Sequence, residues 1–228
     1  MHPQIRTFSE LTAEERPLAG GKGSTLGQLI QAGYPVPEGL IILPAAFAGE
    51  ELTAEAWVQV QAHLSRLRRA GREASFAVRS SALSEDSARA SFAGEFETVL
   101  EVDTDEAIRE AIHTVRRSRH SERVRAYSEA KGIEPLHDMA VVVQRMVQAD
   151  FSGVLFTADP VGGSRSQMAG NYVRGLGDKL VSGEATPLEF SLAQPNGRYE
   201  GPAELKRFAR RLFRLGKRLE EELGCPQD

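Results

Sequence analysis

The run Met139–Val147 (MAVVVQRMV) constrains the fold more than any other part of the chain. It is apolar and rich in β-branched residues, which favours a central strand that is covered on both faces. A second run of this kind, Phe151–Thr157 (FSGVLFT), predicts another central strand. Predicted helices and strands intermix along the chain without strict βαβ alternation. The sequence therefore predicts an α+β fold.

Shorter patterns predict the remaining elements. Leu26, Leu29 and Ile30 recur at helical spacing and predict a helix from Gly23 to Ala32, with Gly33 ending it. Asp103 and Glu106 resemble a capping box at the start of another helix. Further strands are predicted at 40–43, 76–79, 96–102 and 188–192, and further helices through Trp57 to about Ala70, at 122–131 and from Pro202.

Composition excludes several classes of protein. The chain has 228 residues, 41% hydrophobic and 26% charged, which is typical of one two-lobed globular domain or two small ones. A single cysteine, Cys225, excludes a scaffold of internal disulfides. The chain has no run of 18 apolar residues and no signal-peptide pattern, so we expect a cytoplasmic protein without a membrane partner. The net charge of −4 argues against binding to nucleic acid.

A glycine-rich segment, Ala19–Thr25, precedes the first predicted helix. It is not a Walker A loop, because Arg16 stands where the first glycine is needed and Gly23 follows Lys22 where serine or threonine is needed. A helix N-terminus with free N–H groups nevertheless favours an anion, and Lys22 would add a point charge. A plain glycine-rich turn is the alternative.

Arg79 ends an apolar predicted strand and begins a loop of small residues that continues through Gly94 to Thr98. An arginine at this position is suited to bind phosphate with two parallel hydrogen bonds. Small residues such as Gly94 allow backbone N–H groups to approach a ligand. The alternative is an exposed loop in which Arg79 forms a structural salt bridge with Glu85 or Asp86.

Gln144 is a polar amide inside the apolar run Met139–Val147. Such a side chain needs hydrogen-bond partners when it is buried. It bonds either to a neighbouring segment of the chain or to the edge of a purine. The histidines of the chain lack a recognisable context, so we assign none of them to catalysis or to a metal.

Four ordered blocks together resemble the N-terminal nucleotide-binding domain of the phosphoenolpyruvate synthase / pyruvate phosphate dikinase family, which also includes rifampicin phosphotransferases. The blocks are GGKGSTLGQLIQAGYPVPEGLII, FAVRSSALSEDSARASFAGEFETVL, VVVQRMVQADFSGVLFTADPVGG and GLGDKLVSGEATP. The resemblance implies a two-lobed ATP-grasp fold with ATP between its lobes. Residues 1–140 would form the N-terminal lobe, and residues 141–228 would form a C-terminal lobe whose last edge is truncated.

The resemblance also implies roles for individual residues. Lys22 and Arg79 correspond to phosphate-contacting residues of the family and would be catalytic as well as ATP-binding. Gly94 and Thr98 correspond to the flap that covers the phosphates, and Gln144 corresponds to a nucleotide contact between the lobes. In the family the β-phosphoryl group of ATP passes to a histidine on a separate domain and then to pyruvate, while water takes the γ-phosphate in the synthases.

Parts of the family pattern are missing before Asp228. These are an Asp-Ile-Glu-Trp type segment and a Gln-x-Arg strand, so we assign no metal ligand within the chain and expect those of Mg²⁺ beyond residue 228. The resemblance implies two partner domains in a parent chain, a swivelling phosphohistidine domain and a pyruvate-binding barrel. This chain alone would not complete the reaction.

Two alternatives stay open. The chain could be the ATP domain of a rifamycin phosphotransferase, or a nucleotide-binding or regulatory module that transfers nothing.

Overall fold

The structure is a computed structural model that describes residues 4–69, 74–82, 86–87, 90–91, 96–122, 124–126, 138–160 and 162–228. It divides into two compact units, Met1–Val147 and Gln148–Asp228. The expected boundary between residues 140 and 141 falls inside the strand Met139–Arg145, which pairs with two neighbouring strands of the first unit. That the two units are the lobes of an ATP-grasp domain stays a prediction. Among the described residues, no helix has both the length and the apolar character needed to cross a membrane.

Strands and helices of the first unit alternate irregularly. The strands are β1 (Ile5–Thr7), β2 (Gly39–Ile42), β3 (Phe47–Ala48), β4 (Glu51–Leu52), β5 (Phe76–Ala82), β6 (Asp86–Ser87), β7 (Ala90–Ser91), β8 (Thr98–Val102) and β9 (Met139–Arg145). The helices are α1 (Gly20–Gln31), α2 (Ala54–Arg69) and α3 (Asp105–Arg117). Most of the helix predicted at 122–131 lies outside the described residues.

The main sheet of this unit has the order β1-β2-β9-β5-β8, and all of its neighbours are antiparallel. The prediction of a central strand at Met139–Val147 is confirmed for β9, which is buried from Met139 to Val143. Helices pack on both sides of the sheet, because alternate residues of β9 supply apolar side chains to opposite faces. The mixture of helices and antiparallel sheets confirms the α+β class.

Two apolar clusters define the two faces of the sheet. On the α2/α3 face, Val78, Val141 and Val143 pack with α2 and α3. On the α1 face, Ile41 and Val142 pack with Leu26 and Ile30 of α1 and with other apolar residues. The residues of one face are Cα partners across the strands, so the register determines which side chains lie together.

The second unit is a four-stranded antiparallel sheet with helices. Its strands are β10 (Phe151–Phe156), β11 (Gln167–Arg174), β12 (Leu188–Ala193) and β13 (Tyr199–Glu200), in that order across the sheet, and its helices are α4 (Asp178–Val181) and α5 (Ala209–Leu223). Met168, Tyr172, Phe190 and Leu192 form its core, together with residues at the start of α5 and before it.

Two features of the second unit differ from the sequence prediction. The sequence predicts a central strand at Phe151–Thr157, but among the described residues β10 lies at the edge of its sheet and pairs with β11 alone. The strand β11 was not predicted, since Gly170 interrupts the pattern of large apolar residues on its buried side. A Cβ atom at Gly170 would lie 2.3 Å from Cζ of Phe190, so the glycine makes room for that ring.

The start of α3 is capped by Thr104, and not by Asp103 as the capping-box pattern predicted. Thr104 has extended backbone angles, and its side-chain oxygen accepts a hydrogen bond from the N–H of Ala107 at 3.1 Å. Asp103 instead offers its backbone carbonyl to Arg68. The helix therefore begins one residue later than the pattern indicated.

An ion pair ties the segment before α1 to the edge strand β1. Arg6 donates from Nε to both carboxylate oxygens of Glu15, at 3.0 and 2.9 Å, and from Nη2 to Oε1 at 2.7 Å. The hydrogen bond from Arg6 lowers the pKa of Glu15. An ion pair with this bidentate geometry contributes measurably to the free energy of unfolding even when it is partly exposed.

We expect Thr104→Ala to lower the free energy of unfolding by about 1 kcal/mol, because the Ala107 N–H loses its acceptor. Thr104→Ser keeps the oxygen and should cost much less. Urea denaturation of the three proteins measures the difference. If Asp103→Ala proves more costly than Thr104→Ala, the assignment of the cap is wrong.

We expect Glu15→Gln to lower stability by about 1 kcal/mol at pH 7 and to have little effect near pH 3. The folded-state pKa of Glu15 lies below its unfolded value, so its contribution is complete above that unfolded value, about 4.3, and is lost as the pH falls. Thermal unfolding across this pH range tests it. Glu14→Gln at the exposed neighbour is the control, and an equal pH dependence for both variants contradicts the prediction.

Candidate functional site

Lys22 lies in the first turn of α1 and is half-buried. The helix begins at Gly20, so the segment predicted as a glycine-rich loop is largely helical. Gly20 has a φ of +69°, and a Cβ atom there would lie 2.2 Å from the carbonyl oxygen of Ser81. Glycine is therefore required at residue 20, both for the backbone angle and for the close approach of α1 to β5.

Ser81 connects the start of α1 to β5. Its Oγ accepts a hydrogen bond from the N–H of Gly23 at 2.9 Å and donates one to the carbonyl of Ala19 at 2.7 Å. The residue is fully buried. No sequence motif singles out Ser81, although its spacing of two residues from Arg79 places both on one face of a strand.

Arg79 is a half-buried residue within β5. It lies opposite Val142 of β9 on one side and opposite Thr98 of β8 on the other. Val142 belongs to the α1 face, and directly paired residues point to the same side of a sheet. Arg79 and the exposed Thr98 therefore share the face on which α1 packs.

The alternative interpretation of Arg79 involved Glu85 or Asp86. Glu85 and the side chain of Asp86 lie outside the described residues. Among the described side chains, Arg79 forms no ion pair. Gly94, the predicted flap residue, also lies outside the described part of the chain.

Gln144 belongs to the same face. It pairs with Gly39 of β2 and with Ala77 of β5, which lies two residues before Arg79 on the same face of that strand. Its Nε2 donates a hydrogen bond to the carbonyl of Pro37 at 3.1 Å, which is the structural partner that the sequence left open. An amide carries two N–H donors and an acceptor oxygen, so this bond uses part of its capacity.

The α1 face therefore carries Arg79, Thr98 and Gln144 on neighbouring strands, and α1, which contains Lys22, packs on it. Two of these residues are cations, with a hydroxyl and an amide beside them. Such a set is suited to a ligand that combines anionic groups with a polar ring. The set does not form a metal site, and no group of three His, Cys, Asp or Glu side chains converges within the described residues.

His120, just after α3, belongs to a different cluster with Glu50 and Arg119. Burial opposes ionisation of Glu50, but hydrogen bonds from Arg119 and His120 outweigh it and lower the pKa of that carboxyl. Burial, together with the nearby Arg119, lowers the pKa of Arg116 to about 10. Arg116 donates to the carbonyl of Met139, so this cluster joins α3 to the start of β9.

Two cavities formed by described residues are lined by side chains other than the predicted ones. One of about 330 Å³ in the first unit is lined by Thr7, Phe8, Ser9, Ile30, Glu38, Gly39, His63, Arg66 and Leu67. One of about 410 Å³ in the second unit is lined by Asp159, Asn171, Glu189 and Ser191, among others. The candidate site is therefore defined by the shared α1 face and its chemistry.

Comparison with known proteins agrees with this chemistry. Residues 43–211 match the family described as pyruvate phosphate dikinase, AMP/ATP-binding domain. This range includes Arg79, Thr98 and Gln144 and covers more than half of the chain.

Several curated proteins are similar to the chain. A phosphoenolpyruvate synthase from Aeropyrum pernix is 32% identical over 235 residues, covering 83% of this chain and 28% of that protein. A rifampicin phosphotransferase from Streptomyces sviceus is 32% identical over 290 residues, covering 98% of this chain and 33% of that protein. The prodigiosin synthesizing transferase PigC from Serratia marcescens is 33% identical over 200 residues, covering 78% of this chain and 22% of that protein.

The chain thus spans between about a fifth and a third of the length of these relatives. Because the family match extends over most of its residues, the chain belongs to the pyruvate phosphate dikinase AMP/ATP-binding domain family.

Proposed function

We propose that the α1 face of the first unit binds ATP, with Lys22 and Arg79 at the phosphates and Gln144 at the base. The observation that supports this most directly is the convergence of Arg79, Thr98 and Gln144 on one face against which α1 packs. The family to which the chain belongs is an AMP/ATP-binding domain, which agrees with that ligand.

Each residue has a chemical task in this proposal. Lys22 supplies a compact positive charge, and Arg79 supplies a planar fork that matches two phosphate oxygens. Phosphoryl transfer depends on charge neutralisation and positioning, so the two cations would stabilise the transferring group as well as bind it. Thr98 can donate a hydrogen bond from its hydroxyl to a phosphate oxygen, and the proposed flap residue Gly94 would add a backbone N–H.

We further propose that this domain donates the β-phosphoryl group of ATP to a histidine on a separate domain, for transfer to pyruvate. The names of the relatives support an ATP-dependent transferase, but they differ in the acceptor. A phosphoenolpyruvate synthase and a rifampicin phosphotransferase have the same 32% identity to this chain, over 83% and 98% of its length. The final acceptor is therefore proposed to be selected by other domains, among them the proposed swivelling and barrel domains.

Magnesium accompanies ATP in this type of chemistry and would neutralise phosphate charge when bound. No group of three His, Cys, Asp or Glu side chains that could hold such an ion converges within the described residues, and Mg²⁺ that accompanies ATP is commonly held by one or two carboxylates together with the phosphates. No step is therefore assigned to a metal held by these residues.

A cytoplasmic location is also part of the proposal, and the single exposed cysteine agrees with a reducing compartment.

We expect Lys22→Ala and Arg79→Ala each to weaken ATP binding about 10- to 100-fold, because each removes a charge-assisted contact with phosphate. Isothermal titration calorimetry with ATP measures the dissociation constants. The matched control is Arg117→Ala, which removes an equal charge from the exposed side of α3, where Arg117 contacts Glu110. Unchanged affinity in both test variants, or an equal loss in the control, would refute the phosphate assignment.

We expect Gln144→Ala to weaken ATP binding by up to about 10-fold while leaving inorganic tripolyphosphate binding unchanged, because tripolyphosphate has no base. Lys22→Ala and Arg79→Ala should weaken binding of both ligands. Titration of the three variants with both ligands separates contacts to the base from contacts to phosphate. Equal losses for ATP and tripolyphosphate in Gln144→Ala would mean that its bond to Pro37 serves the structure and that it does not contact the base.

A further inference from the structure

We propose that Ser81 is a positioning residue that holds Lys22 in register with Arg79. This inference rests on the proposed ATP site and assigns a role to a residue that would not touch the nucleotide. It starts from the two hydrogen bonds of the Ser81 hydroxyl, which connect β5 to the segment that carries Lys22.

The hydroxyl of Ser81 uses both its donor and its acceptor capacity in the same contact. It accepts from the N–H of Gly23 in the first turn of α1. It donates to the carbonyl of Ala19, immediately before α1. Because Ser81 is fully buried, water does not compete for these two hydrogen bonds. Its hydroxyl oxygen thus holds both Ala19 and Gly23 at the start of α1.

The packing around this hydroxyl depends on glycine. A Cβ atom at Gly20 would lie 2.6 Å from Oγ of Ser81, and one at Gly23 would lie 3.5 Å from it. The start of α1 therefore approaches β5 as closely as its backbone allows. Gly20 is therefore required for this close approach to Ser81, whereas the distance at Gly23 is an ordinary van der Waals contact.

The same contact relates the two proposed phosphate-binding cations. Lys22 directly precedes Gly23, the donor to Ser81, and Arg79 is two residues before Ser81 in β5. Alternate residues of a strand point to the same side, so Arg79 and Ser81 both face α1. Ser80, which is also buried, points to the α2/α3 face. Ser81 is thus the residue that sets the position of Lys22 relative to Arg79.

The first test compares Ser81→Ala with Ser80→Ala by calorimetric titration with ATP. We expect Ser81→Ala to weaken ATP binding about 5- to 50-fold, because a displaced Lys22 would lose much of its charge-assisted contact with phosphate. Ser80→Ala removes the same atom from a buried serine of the same strand and should change the affinity less than twofold. An unchanged affinity in Ser81→Ala, or equal losses in the two variants, would overturn the positioning role.

The second test asks whether Ser81 acts through Lys22, using double-mutant cycles. With Lys22→Ala already present, Ser81→Ala should weaken ATP binding less than twofold further, since the group that it positions is absent. With Arg79→Ala present, Ser81→Ala should retain its full effect. Additive losses in the Lys22 cycle would mean that Ser81 only stabilises the fold, and would overturn the inference.

Two controls keep the outcome interpretable. If Ser81→Ala does not fold, as judged by thermal unfolding, Ser81→Cys takes its place in both tests, because its thiol keeps a weak donor and acceptor at similar volume. We expect Ser81→Cys to weaken ATP binding less than Ser81→Ala does, but at least threefold. An ATP affinity within twofold of that of the wild type overturns the role.

If the wild-type chain does not bind ATP, the proposed function itself fails. If it binds ATP and only the Lys22 and Arg79 variants are weakened, the proposed function stands and the role of Ser81 alone is wrong.

Discussion

Pairing of the central strand β9 with β2 and β5 is the constraint on which the candidate site depends. Both of its faces are covered, so the strand has to match apolar side chains on two sides at once. A shift by one residue would exchange the faces, and Gln144 would then enter the apolar cluster of the α2/α3 face. The free energy of burying Val141, Val142 and Val143 therefore maintains the register that places Gln144 in the row beside Arg79.

The two faces of this sheet differ in polarity because different helices cover them. The α2/α3 face is covered by two helices and carries the larger apolar cluster. The α1 face is covered by one helix, whose beginning is held against β5 by the close contact at Gly20 and by Ser81. Beside that helix, half-buried and exposed polar residues such as Arg79 and Thr98 can remain on the sheet without losing contact with water.

Family membership and local structure agree on the ligand class but carry different information. The relatives indicate a domain for AMP or ATP within longer transferases. The structure adds which neighbours hold each proposed residue, such as Pro37 for Gln144 and Thr98 opposite Arg79. The structure also separates Ser80 from Ser81, which are adjacent in β5 but point to opposite faces of the sheet.

The sequence by itself determined the features that depend on short-range pattern. The β-branched run at Met139–Val147 predicted β9, the helical spacing of Leu26 and Ile30 predicted α1, and residue chemistry singled out Lys22 and Arg79. Tertiary structure alone decided that Ser81 meets Gly23, that β10 lies at an edge and that Gly39 pairs with Gln144. Periodicity reports which side of an element is buried, whereas the identity of the partner depends on contacts between segments that are far apart in the chain. Such contacts form only when the whole unit packs.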